Sequence, residues 1–222
     1  MDLSSFAFFL VFSYVHAQNP TGTPYTDSTT KITFSIWSIS PPAGSALKFG
    51  LTLPQDALTT DSPDLIGYLD CPTSTGWCGI SLGGAMTDSL LLVAYADGGS
   101  VKYTLRYTSE YKLPEVYEGN ATVSPIHDEM SEDGFSSIFH CKECLRWKQG
   151  GREAGAKTSK GQMDLAYALS TEKPSGASGC ADEAVLVQHN AQGTWLAFID
   201  EGATSERFEE WAGLGREGEN GC

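Results

Sequence analysis

Short stretches in which apolar and polar residues alternate, each cut off by glycine, proline, serine or threonine, constrain this chain more than any other feature. In "KITFSIWSI" Ile32, Phe34 and Ile36 share one face, and in "LKFGLTLP" Leu47, Phe49, Leu51 and Leu53 do the same. A repeat of two is the pitch of a pleated strand, whose successive side chains point to opposite faces. The segments "LIGYLD", "WCGISL", "SLLLVAYA", "SVKYTLRYT", "GFSSIFHC", "MDLAYALS", "EAVLVQHN" and "TWLAFID" read the same way. About ten or eleven strands at this spacing predict an all-β fold, an antiparallel, immunoglobulin-like β-sandwich of two sheets. Asp97-Gly98-Gly99 lies between two of them and predicts a tight hairpin, because glycine accepts positive φ without strain. The 222 residues suit one such domain with a full core.

Hardly a helical stripe is present. Lys148 to Gly161, "KQGGREAGAKTSKG", reads as a mobile loop, and its "GREAGAKT" misses the phosphate-binding pattern because Ala156 stands where glycine must precede the lysine. The acidic "SPIHDEMSEDG" reads as a solvated loop.

A formal net charge of -14 excludes nucleic acid and anionic membrane surfaces as partners, since no cationic patch neutralises phosphate. The apolar run Phe6 to Val15, followed by Val15-His16-Ala17, reads as a secretory signal over residues 1–17. No later segment reaches the roughly 18 apolar residues of a membrane span. Asn120-Ala121-Thr122 is an acceptor sequon for glycosylation, in keeping with a secreted, extracellular protein. The mature domain is expected over 18–200 and a charged, glycine-rich tail over 201–222. In that tail Phe208, Trp211 and Leu214 are spaced for at most a short docking helix.

Six cysteines in a secreted chain favour disulfides. Cys71 with Cys78, and Cys141 with Cys144, are close enough to pair locally; Cys180 and Cys222 are left over, to bond with each other or not. A zinc site built from the two pairs is the alternative, and it needs reduced thiolates.

The residues that could carry chemistry are few. Met86 follows Gly83 and Gly84 on the shoulder of an apolar strand, and His189 closes another such segment. A thioether and an imidazole at two strand ends form one possible axial pair for haem iron. Core filling by Met86 is the plainer alternative. His127 belongs to the acidic loop, and His140 precedes Cys141 on a strand and could face either way. No GxSxG marks a hydrolase and no CxxCH marks covalent haem. Trp37, Trp147 and Trp195 would serve a carbohydrate-binding sandwich if exposed, and otherwise pack the core.

Five segments, in order along the chain, carry a resemblance. They are "FGLTLPQDALTTD" at 49–61, "GWCGISLGGAMTDSLLLVAYADG" at 76–98, "RYTSEYKLPEVYEG" at 106–119, "FHCKECLRW" at 139–147 and "LVQHNAQGTWLAFID" at 186–200. Together they are similar to the cytochrome domain of cellobiose dehydrogenase, an extracellular fungal flavocytochrome, and to related secreted haem domains. The resemblance implies non-covalent haem b ligated by Met86 and His189, with Gly83 and Gly84 letting the backbone pass close to the porphyrin. It implies a propionate hydrogen bond from Tyr111 and a disulfide between Cys141 and Cys144. It also implies one-electron transfer, with a flavin-dependent sugar dehydrogenase as donor and a copper lytic polysaccharide monooxygenase as acceptor. The family's flavin domain has no counterpart in these residues, so electron transfer rather than sugar oxidation is expected.

Overall fold

The computed structural model describes residues 20–41, 46–176 and 179–216. The predicted signal at 1–17 and Cys222 lie outside the described residues. Fifteen strands follow in chain order: β1 Thr23–Thr26, β2 Thr33–Ile39, β3 Leu47–Pro54, β4 Leu65–Cys71 and β5 Trp77–Ser81. Then come β6 Leu91–Asp97, β7 Ser100–Tyr107, β8 Glu115–Val116, β9 Thr122–Met130 and β10 Phe135–Lys142. The last five are β11 Arg146–Gln149, β12 Arg152–Gly155, β13 Gln162–Ser170, β14 Ala191–Phe198 and β15 Thr204–Ser205. The one α-helix among the described residues, α1, spans Phe208–Ala212.

Thirteen of these strands form the two predicted sheets, and β11 and β12 pair only with each other. One has seven strands in the order β1-β2-β3-β4-β10-β9, with β15 joined to β3; the other has six, β14-β13-β5-β6-β7-β8. Pairing within each path is antiparallel, and only β15 runs parallel to its neighbour. Leu47, Phe49, Leu51 and Leu53 are fully buried between the sheets, as the alternation predicts. They meet Ile80, Leu92, Tyr103 and Leu165 from the other sheet in one core. The Asp97-Gly98-Gly99 hairpin forms, with Gly98 and Gly99 both at positive φ and Asp97 paired to Ser100. Cys71–Cys78 ties the end of β4 in one sheet to β5 in the other, and Cys141–Cys144 closes the turn after β10. Cys180 is also disulfide-bonded.

The face of β2 carrying Ile32, Phe34 and Ile36 points away from this core. It is covered instead by α1, whose Phe208 and Trp211 pack on Ile32, Phe34, Ile66, Tyr68 and Ile138. The first sheet is therefore buried on both faces.

Three local expectations change. Residues 122–130 form an edge strand rather than an acidic loop; its exposed charges suit an edge, where they deter pairing with other chains. Lys148 to Gly161 holds a hairpin, β11–β12, whose two-residue turn is Gly150-Gly151 at φ 60° and 78°, followed by a 3-10 turn at Thr158–Lys160. "EAVLVQHN" forms no strand. The Ala184 and Val187 carbonyls are taken up by side chains of the six-stranded sheet, and only Val185 makes a strand-like bridge, to Ser175.

Candidate functional site

The six-stranded sheet has an open outer face, and its side-chain sizes shape a trough there. On β5 the outward positions are Gly79 and Ser81, and on the adjacent β13 they are Ala166 and Ala168. Larger residues flank them on both sides. Val93 and Leu91 of β6 pair with Gly79 and Ser81, while Gln192 and Thr194 of β14 pair with Ala168 and Ala166. Small side chains on two neighbouring strands leave a depression, and loops at both ends deepen it to a cleft of about 830 Å³. That volume falls within the roughly 300–1,000 Å³ typical of cofactor and ligand sites.

Met86 lines one end of the cleft, at the Ser81 end of β5. Its loop is fixed on both sides. Ser81 Oγ donates to Ala85 O at 2.6 Å, and Leu82 N–H donates to Leu90 O at 3.0 Å. Gly84 lines the cleft in a left-handed conformation, φ +78°, and packs so tightly that a Cβ there would lie 2.8 Å from Asp164 Cβ. Gly83 does not line the cleft: a side chain there would strike Ser89 and Trp147.

His189 lines the opposite end, just before β14. The segment leading to it is irregular but well anchored. Arg106 of β7, 6% exposed, donates through Nη2 to the carbonyls of Asp182 and Ala184 at 3.0 and 2.9 Å and reaches Ala181 O at 3.3 Å. Its Nε donates to Thr104 Oγ1, which in turn donates to Asp182 Oδ1 at 2.7 Å. Burial pulls the Arg106 guanidinium below the usual arginine value, with Asp182 opposing the shift. Further along, Trp77 Nε1 donates to Val187 O, and Asn190 N–H donates to Leu169 O. Beneath this segment Trp77, Val93, Tyr95, Ala184 and Leu186 form a small cluster of their own.

Tyr111 stands at the rim, 87% exposed, beside half-exposed Leu113 and the Lys112–Glu115 ion pair. The cleft thus brings together Met86, Gly84, Tyr111 and His189, which are scattered over a hundred positions of sequence. His127 and His140 are elsewhere, on β9 and β10. Trp37, Trp147 and Trp195 are all buried in the main core, so none offers a sugar-stacking platform. The trough residues Gly79, Ser81, Ala166 and Ala168 were not singled out from sequence, although small residues at every second position of two strands are a visible signal.

No carboxylate or cysteine among the described residues lines the cleft. Among the described residues no group of three or more His, Cys, Asp or Glu is placed to hold a metal ion. The cleft carries one thioether, Met86, at one end and one imidazole, His189, at the other. Such a pair suits iron held in a flat apolar macrocycle better than a hydrated cation, which takes oxygen ligands.

Comparison with known proteins agrees with this geometry. Residues 25–210 match the family described as the cytochrome domain of cellobiose dehydrogenase. The cytochrome domain of Myriococcum thermophilum cellobiose dehydrogenase superposes with a TM-score of 0.86 at 38% identity, over 90% of this chain and 98% of that one. The cytochrome b domain of pyranose dehydrogenase from Coprinopsis cinerea superposes with a TM-score of 0.72 at 25% identity, over 88% and 96% of the two chains. A pyrroloquinoline quinone-dependent pyranose dehydrogenase from Coprinopsis cinerea is 30% identical over 159 residues, or 70% of this chain and 21% of that protein. The chain thus spans about a fifth of the curated relatives it matches. Its fold and sequence place it in one family: the chain belongs to the cytochrome domains of cellobiose dehydrogenase.

Proposed function

We propose that this chain is an extracellular b-type cytochrome domain that passes single electrons, with Met86 and His189 as the axial ligands of a non-covalent haem b. The observation that carries the reading is the cleft: a trough floored by Gly79, Ser81, Ala166 and Ala168, with a thioether at one end and an imidazole at the other. The residues present fit the group. Haem iron with both axial positions filled supplies one-electron exchange and has no open position for oxygen or peroxide.

The chain's own residues do the rest. Trp77 and Arg106 hold the His189 segment against the sheet, and the small floor residues admit a flat apolar body and exclude water beneath it. Met86, neutral and polarizable, favours the reduced state over the oxidised one relative to a second imidazole. On this reading Tyr111, exposed at the rim, donates a hydrogen bond to a haem propionate, and its exposure supports that role. Two disulfides and an exposed Asn120 sequon support passage through an oxidising, glycosylating compartment.

The electron donor on this reading is a flavin-dependent sugar dehydrogenase and the acceptor a copper lytic polysaccharide monooxygenase. The higher identity to the cellobiose dehydrogenase domain than to the pyranose dehydrogenase domain supports a flavin donor over a quinone-dependent one.

An absorbance spectrum of the haem-loaded protein, before and after dithionite, tests the ligand assignment. Sharp α and β bands with a shifted Soret peak are expected on reduction. Protein that stays colourless after added haem would overturn the reading. Stopped-flow mixing of the oxidised domain with a sugar-reduced flavin dehydrogenase, and of the reduced domain with the copper enzyme, tests the two partners separately.

A further inference from the structure

Asp88 lies two residues beyond Met86 and adopts φ +57°, the left-handed region that side chains other than glycine seldom enter. In a loop already containing two glycines, an aspartate in that conformation calls for a role of its side chain. It has one, and its backbone has another. Asp88 N–H donates to Thr108 O at 2.8 Å, and Asp88 O accepts from Trp147 Nε1 at 3.0 Å. Its Oδ1 accepts from Tyr107 Oη at 3.0 Å, and its Oδ2 accepts from Arg152 Nη1 at 2.5 Å. These four bonds reach the end of β7, the residue after it, β11 and β12.

Methionine has three side-chain torsions, so the place of its sulfur depends on how firmly its backbone is held. Before Met86, the Ala85 carbonyl is fixed by Ser81; after it, Asp88 is fixed from three sides. The Arg152 pair is half-exposed and contributes little alone. The Tyr107 hydroxyl belongs to a buried ring and is the stronger tie.

We infer that Asp88 is a positioning residue that holds the Met86 sulfur at its bonding position, acting chiefly through its hydrogen bond from Tyr107. This rests on the reading of Met86 as an iron ligand.

The test uses haem-loaded Asp88→Ala, Asp88→Asn, Tyr107→Phe and Met86→Ala beside the parent protein. Three properties are read: the ferric spin state, the midpoint potential and the rate of cyanide binding to ferric iron. Asp88→Ala and Tyr107→Phe are expected to raise the high-spin fraction, lower the potential and speed cyanide binding about tenfold, equivalent to about 1.4 kcal/mol less hold on the methionine. Asp88→Asn tolerates the left-handed conformation and keeps an acceptor for Tyr107, so it should stay within about twofold of the parent.

If Met86→Ala turns high-spin while Asp88→Ala and Tyr107→Phe keep the parent spectrum, potential and cyanide rate, the positioning role is wrong although the ligand is right. If Met86→Ala itself stays low-spin, the ligand reading fails and the positioning role falls with it. Lower thermal stability with unchanged iron properties also counts against the role. Should Asp88→Ala fail to fold, Tyr107→Phe, which deletes one hydroxyl, decides the matter.

Discussion

The indole of Trp77 stands edge-on to the imidazole of His189, with ring centroids 6.5 Å apart and planes at 82°. The same indole N–H donates to Val187 O at 3.0 Å. At the other end of β5, Ser81 holds Ala85 beside Met86. One five-residue strand therefore locates both donor-bearing segments, one from each of its ends.

Replacing Trp77 with phenylalanine keeps most of the ring and removes the donor. The loss of one partly buried hydrogen bond costs about 1 kcal/mol. Haem dissociation, followed by transfer to an excess of apomyoglobin, should quicken by about fivefold. An unchanged rate would mean that Val187 is held by other contacts.

Arg106→Met preserves length and apolar bulk but leaves the Asp182 and Ala184 carbonyls without their donor. Buried acceptors stripped of a charged partner cost about 2–4 kcal/mol. Urea unfolding at neutral pH should show an unfolding free energy lower by that amount, and a change under about 0.5 kcal/mol would show that water replaces the guanidinium freely.

Filling the trough separates fold from cofactor. Ala166 faces the open cleft, so Ala166→Leu should leave the melting temperature close to that of the parent while weakening haem uptake at least about tenfold in a Soret titration. Undiminished uptake would place the haem elsewhere on the sheet.

His140 gives the fold a pH dependence. It is on β10 facing α1, edge-on to Phe208, and its buried Nε2 has no hydrogen-bond partner and is 3.9 Å from Asp64 Oδ2. Burial holds its pKa below the usual histidine value, a shift that Lys142 adds to and Asp64 and Glu209 partly offset. The unfolded chain then takes up the proton more readily than the folded one. The contribution to stability is complete above the unfolded value near 6.5 and is lost as pH falls below it. Melting temperature should drop between about pH 7 and pH 5 in the parent and drop less in His140→Leu. Equal slopes in the two proteins would exclude His140 as the source.

The sandwich was largely legible because burial on one face of a strand leaves a period of two, as at Leu47, Phe49, Leu51 and Leu53. What escaped had a physical reason. Residues 122–130 are polar because they form an edge, and the Gly150-Gly151 turn was hidden by the charged residues on its flanks. "EAVLVQHN" has a strand's alternation, yet its apolar residues serve a small cluster under an irregular segment. Met86 and His189 stood out one by one at the ends of apolar segments, but only family resemblance joined them as a pair, since residues so far apart share no local pattern. The floor of the cleft depends on the pairing of β5 with β13, nearly ninety positions away, which no single segment records. The left-handed turn at Asp88 is equally invisible, because its partners come from three other strands and a loop.

The cleft lies on the outer face of the six-stranded sheet, and the main core lies on its inner face, between the sheets. On the proposed reading, haem binding and the closing of the sandwich therefore draw on largely different side chains. Loading then adds stability only by mass action, growing with the logarithm of free haem over its dissociation constant.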